Sequence, residues 1–224
     1  MNGLFLQDRL NAASGRAAAI IGLPCDVYRP PDFRLPGSDP MADPTGQDRF
    51  RMRMNAIFLP VGGRIRRPVP ATDPLWEVAI DGAYTRPGDI IVRRSDRAVF
   101  YIAAQQPLLP ILCVSAPRRV TIKRPPSASV AGVNLYGGTV AALDTVLAAN
   151  WPASILAAGN QGTGLASIPA ELSPGMWQVL LPPSLYLTLR TTDLVTDDQG
   201  RTGVISTIET TEYGARLTVQ LAST

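Results

Sequence analysis

Hydrophobic and polar positions alternate along two stretches of the chain, and both stretches carry the same pattern. The first begins at Trp76-Glu77-Val78-Ala79-Ile80 and continues through Asp89-Ile90-Ile91-Val92 and Arg97-Ala98-Val99-Phe100-Tyr101-Ile102. It closes with Arg119-Val120-Thr121-Ile122. The second begins at Trp177-Gln178-Val179-Leu180-Leu181 and passes through Asp193-Leu194-Val195 and Arg201-Thr202-Gly203-Val204-Ile205. Its close is Arg216-Leu217-Thr218-Val219. In each copy an Asp before an apolar pair stands eight residues ahead of an Arg that opens the next apolar run. A period of two sends successive side chains to opposite faces of a strand. Each copy therefore predicts three or four short strands. The expectation is a mainly-β protein with two related small β-barrel or sandwich-like modules, at residues 75–124 and 176–224.

Residues 1–74 read differently. Leu6, Leu10, Ala13, Ala17 and Ile20 recur at three- and four-residue steps, which predicts an amphipathic helix over 4–21, stopped by Gly22 and Pro24. That helix either packs on its own domain or docks on a neighbouring subunit. Residues 25–31 are extended, and 36–46 hold Pro-Gly and Asp-Pro turn signals in close succession. A loop of that length suits an extended arm lying across a partner. Residues 49–59 alternate like a strand, while 61–70 are too rich in Pro and Arg for a central one. The region 1–74 is thus expected to supply the helix and Pro-rich arms. Residues 125–175 are expected to be a linker and connecting segment, with a short helix at 140–149 and a strand at 151–156. In the second module, 178–181 and 185–190 are predicted strands, followed by hairpin pairs at 194–196 with 201–207.

Composition narrows the function classes. The 21 Pro and 19 Gly are spread along all 224 residues, which argues against a helical bundle. Net charge is +3, and the dense basic clusters are Arg64-Ile65-Arg66-Arg67 and Arg118-Arg119 with Lys123-Arg124. They are either solvated strand ends or a phosphate-facing surface. Residues 1–9 lack a signal-peptide pattern, and no stretch is long and unbroken enough for a membrane span, so a protein made and used without ordinary secretion is expected.

There is no histidine. Its absence removes His-activated Ser and Cys nucleophiles and the usual near-neutral general base. Asp39 with Asp43, or Asp197 with Asp198, could in principle form a carboxylate pair for glycoside hydrolysis. Both pairs sit in Pro- and Gly-rich turns, where Asp serves the backbone. Cys25 and Cys113 each lie in apolar company and read as buried free thiols. The expectation is a protein that is not an enzyme and uses no cofactor or metal.

Three stretches resemble structural proteins encoded by tailed bacteriophages and prophages. They are Arg9-Leu10-Asn11 through Cys25-Asp26-Val27-Tyr28-Arg29-Pro30; Phe100-Tyr101-Ile102-Ala103-Ala104-Gln105-Gln106-Pro107-Leu108-Leu109-Pro110-Ile111-Leu112-Cys113; and Trp151-Pro152-Ala153-Ser154-Ile155-Leu156 with Trp177-Gln178-Val179-Leu180-Leu181-Pro182-Pro183. Residues 193–218 are also similar to the final hairpin of small neck and tail-joining proteins. The resemblance implies a virion component assembled in the host cytoplasm, an adaptor or ring protein of the head–tail connector or tail. Its implied partners are further copies of itself in a ring and neighbouring portal, adaptor, tail-tube or fibre proteins, with DNA contact through the basic clusters. Candidate assembly contacts are Leu6, Leu10, Tyr28, Phe33, Arg66 and Arg67. The alternative is a receptor- or glycan-binding module anchoring a tail fibre.

Overall fold

The computed structural model describes residues 3–31, 39, 41–61, 74–126, 144–157, 175–185 and 187–221. The helix α1 (Gly3–Ile21) leads. The strands β1 (Leu23–Tyr28), β2 (Phe50–Pro60), β3 (Leu75–Ala79), β4 (Ile90–Arg93), β5 (Val99–Ala104) and β6 (Ile111–Ser115) follow. Then come β7 (Arg118–Arg124), β8 (Thr145–Ala157), β9 (Met176–Leu181), β10 (Leu194–Asp197), β11 (Thr202–Thr211) and β12 (Gly214–Leu221). All neighbours pair antiparallel and close into two six-stranded barrels, β1-β2-β3-β6-β5-β4 and β7-β8-β9-β12-β11-β10. Adding six to each strand number of the first barrel gives the second. The expected two related β-modules with an N-terminal helix are therefore present, and closure leaves neither barrel an edge strand to pair with another chain.

The register shows how closely the barrels correspond. Trp76 of β3 stands opposite Cys113 of β6, and Trp177 of β9 stands opposite Val219 of β12. The inward side chains of the first barrel are Cys25, Val27, Ala56, Val78, Ile91, Phe100, Ile102 and Cys113. In the second they are Val120, Ile122, Trp151, Ala153, Trp177, Val179, Val195, Ile205, Leu217 and Val219. Trp76 lies against the first core edge-on to Phe100, with ring centroids 6.1 Å apart. Both repeated tryptophans thus serve as core anchors.

The barrels begin elsewhere than the repeat suggested. β1 and β2, from the region expected to hold only helix and arm, are two of the six staves of the first barrel. β7, expected to close the first module, opens the second. The predicted helix at 140–149 is also corrected: from Thr145 onward the chain is the 13-residue strand β8. Ladders to β7 and β9 satisfy that backbone along its length, and this pairing overrides the helix preference of its alanines. Residues 185–190 were predicted as a strand but include no strand among those described. Their alternation is real all the same, because Leu185, Leu187 and Leu189 tuck onto the second core without a partner strand.

Ala116 and Pro117 alone join β6 to β7. The barrels meet along the outer face of β4, β5 and β6. There Tyr28, Ile90, Tyr101, Val114 and Leu75 are paired directly, each with the next, across five strands. This outer row packs with Ala103, Ala116 and Leu180 of β9 into a third apolar cluster. Ser184 donates to the Gly88 carbonyl at 3.0 Å, and Gln106 donates to the Tyr213 hydroxyl at 2.7 Å. Gly88 has φ +89°, and a Cβ there would stand 2.7 Å from that of Ser184, so both the turn and the close approach require glycine.

Candidate functional site

Each barrel is locked by a buried carboxylate at the start of its fourth strand. Asp89 accepts Arg29 Nε and Nη2 at 2.8 and 2.7 Å and the Arg86 amide at 3.0 Å. Asp193 accepts Arg124 Nε and Nη2 at 2.8 Å each and the Arg190 amide at 2.8 Å. Arg29 and Arg124 each donate also to a loop carbonyl, of Tyr84 and Thr188. The Asp side chains are 1% and 0% exposed, and the bonds they accept push both arginine pKa values upward. The repeated Asp is therefore a clamp on the end of the barrel's first strand. Its partner is not the Arg that follows eight residues later.

The other carboxylates considered for chemistry hold turns. Asp39 accepts the Met41 amide and Asp43 the Thr45 amide, each two residues on. Asp197 takes the amides of Gln199 and Arg201 and is flanked by the guanidiniums of Arg118 and Arg201. Burial opposes its ionisation, but these donors prevail and leave its pKa below the usual carboxylate value. Arg201 also stacks over Trp177, 4.5 Å from the ring centre. Among the described residues no cluster of three or more His, Cys, Asp or Glu could hold a metal ion.

The described basic cluster is engaged within the chain. Arg118 pairs with Asp197 and Asp198, Arg119 with Asp43 and Thr45, and Arg124 with Asp193. The Arg119 contacts tie residues 43–45 of the long β1–β2 loop to the second barrel, so this part of the expected arm braces its own chain. Cys25 and Cys113 are free and buried in the first barrel. Burial raises the Cys25 pKa to about 11 and pushes Cys113 up as well.

An open apolar surface lies at the α1 end of the molecule. Only Ala18 of the 19 helix residues is buried. Small residues let the helix lie close on β2 and β3: at Gly15 an added Cβ would come within 2.9 Å of Asp81 Cβ. Gln7 accepts the Leu108 amide at 2.6 Å and holds the β5–β6 loop to the helix. Between them opens a cleft of about 290 Å³, bordered by Leu10, Leu108 and Leu109 and floored by Leu59, Val78 and Ile111. Leu10, Leu108 and Leu109 are 46%, 50% and 58% exposed, and Phe5 is 54% exposed.

Of the predicted contacts, Leu6 and Leu10 lie on this exposed helix. Tyr28 is taken up inside the chain, in the inter-barrel cluster and edge-on to Phe50 at 5.9 Å. Phe33, Arg66 and Arg67 lie outside the described residues. Leu108 and Leu109 were visible in the sequence only as a Pro-punctuated apolar connection, with nothing to place them beside Leu10. No described helix is long and apolar enough to cross a membrane. Comparisons with protein families, curated proteins and solved structures return no match.

Proposed function

We propose that this protein is a structural subunit of a tailed-phage particle, an adaptor or ring component of the neck or tail that acts by protein–protein assembly. The observation that carries the reading is the helix end. A terminal helix with one buried side chain, and apolar residues bordering an open cleft, is a surface that a partner would cover. The resemblance of 9–30, 100–113 and 151–156 with 177–183 to phage structural proteins supplies the setting. Two closed barrels in fixed contact make a stiff block suited to repetition, and their clamps and turns account for the carboxylates that might otherwise suggest hydrolysis. The test is mass spectrometry of purified particles separated into heads and tails. The chain's peptides should appear at a copy number fitting closed symmetry, on the order of a dozen or a simple fraction of it. Absence from the particle would overturn the reading.

A fibre-anchoring, glycan-binding role is the second reading, favoured by Tyr84 and Tyr213, which stand 56% and 40% exposed on loops. It requires glycan binding that Tyr84→Ala abolishes.

A further inference from the structure

The repeat makes one face of the second barrel directly comparable with a face whose use is known. In the first barrel the outer row Tyr28, Ile90, Tyr101, Val114 and Leu75 is covered by the second barrel. The same row in the second barrel is Lys123, Leu194, Val204, Gln220 and Met176, again paired each with the next across five strands. The correspondence is fixed by the clamps: Ile90 and Leu194 each follow the clamp Asp, and the Asp carbonyls accept the amides of Ile102 and Ile205. Tyr101 and Val204 each stand one residue before those. Tyr101 is 1% exposed, whereas Val204 is 38% and Met176 41% exposed. Among the described residues, the face that binds a barrel in one half of the molecule is thus open in the other.

The opposite faces correspond as well. The second barrel meets the first through β8 and β9, where outward Ser154 is buried and Leu180 joins the shared cluster. The counterparts in the first barrel are β2 and β3, with Ile57 and Ala79 at the matching positions. That face is overlaid by α1, through contacts that include Asn55 to the Ala19 carbonyl. A chain built as barrel on barrel therefore ends at one side in a β10–β11–β12 face that none of the other described residues covers. At the other it ends in a helix-covered face beside the cleft bordered by Leu10, Leu108 and Leu109, which Gln7, Asn11 and Glu77 also line.

We infer that these two ends are the complementary halves of a head-to-tail interface between copies of this chain. The β10–β11–β12 face of one copy seats on the α1 cleft of the next, presenting Val204 and Met176 to Leu10, Leu108 and Leu109. On the second barrel the interface uses the face whose counterpart binds a barrel within each chain, and on the first it uses the α1 layer that covers the counterpart of β8–β9. Its chemistry fits a contact made on assembly. Where the internal row is almost wholly apolar, the open row mixes Lys123 and Gln220 with Leu194, Val204 and Met176. Such a mixture is tolerable in water before the partner arrives. A heterologous contact of this kind generates rings or tubes rather than closed pairs. The inference rests on the assembly reading above and names the surfaces that carry it.

The test uses the full chain with Val204→Lys and, separately, Leu10→Glu. Both positions are partly exposed, so each variant should melt as the wild type does, and circular dichroism checks this. Analytical ultracentrifugation over a concentration series then reads association. The wild type should form higher oligomers and each variant alone should be monomeric. An equal mixture should stop at a heterodimer, because Leu10→Glu still offers a sound strand face and Val204→Lys a sound cleft. An isologous contact would instead stop the wild type at a dimer at every concentration, which overturns the head-to-tail geometry. A wild type that oligomerises while either variant does so equally well overturns this interface and leaves assembly standing. The same holds for a mixture that stays monomeric. A wild type that remains monomeric throughout overturns self-association by this route, while the particle mass spectrometry decides the structural role on its own.

Discussion

At the scale of single residues the fold depends most on two carboxylates. Asp89 and Asp193 are buried, and each is satisfied by a forked guanidinium and a backbone amide. Removing one such partner strands the other inside the protein, a loss of about 3–5 kcal/mol in fully buried pairs. Arg29 and Arg124 retain 22% and 24% exposure, so water recovers part of that. Asp193→Ala is expected to lower unfolding free energy by about 2–3 kcal/mol, measured by urea titration. Asp197 adds a pH dependence. Its folded pKa lies below the unfolded value of about 4, so its contribution is complete above that value and is lost as pH falls through the folded pKa. The Tm of the wild type should exceed that of Asp197→Asn above about pH 5, and the gap should close below about pH 4.

These clamps also show what the sequence could convey. The Asp–Arg spacing of eight was visible because the fourth and fifth strands form a tight hairpin in both copies, β4 with β5 and β10 with β11. The true partners stand 60 and 69 residues away. Loops of unequal length destroy any fixed interval between them, so no repeat search on spacing would pair Arg29 with Arg124. Only the barrel closure makes them equivalent.

At the scale of elements, strands three to six of each barrel were legible from alternation and turn chemistry. The first two were read as extended or strand segments, at 25–31, 49–59, 119–122 and 151–156, but not as members of these barrels. Their shared features reduce to small or β-branched positions such as Ala56 with Ala153 and Val27 with Ile122, which any strand could carry. The first part of β8 misled for a related reason: its alanines favour a helix locally, and only its pairing with β7 decides for a strand. The helix itself was legible, Gly22 included, since its amide closes the last turn on the Ala18 carbonyl at 2.8 Å. Its exposure was not, because periodicity says which face is apolar and not what covers it. α1 rests on the barrel through close contact at Gly15. Gly15→Leu should overpack that contact by about 1–3 kcal/mol. The expected outcome is faster amide exchange in α1, with exchange in the barrel strands unchanged.

At the scale of the whole molecule, the buried row of Tyr28, Ile90, Tyr101, Val114 and Leu75 makes the two barrels one cooperative body. Probes are already in place. Both cysteines are in the first barrel, where burial keeps the Cys25 thiol protonated at neutral pH with its pKa near 11. Trp151 and Trp177 are in the second barrel, and Trp76→Phe would make tryptophan emission specific to it. Thiol release and tryptophan emission should follow a single denaturant transition. Tyr101→Ala should split it into two. Native protein at neutral pH should react negligibly with a thiol reagent.

The two-residue joint at Ala116 and Pro117 has a consequence for shape. A two-residue connection, with Ala116 buried in the inter-barrel cluster and the φ of Pro117 fixed by its ring, gives the barrels one angle and little slack. Copies joined end to end would each repeat that angle, so the curvature of the assembly would be written into a single point in the chain. Lengthening the joint by a few glycines would leave every barrel intact and every docking surface in place. The product would still be chains, but chains that wander instead of closing.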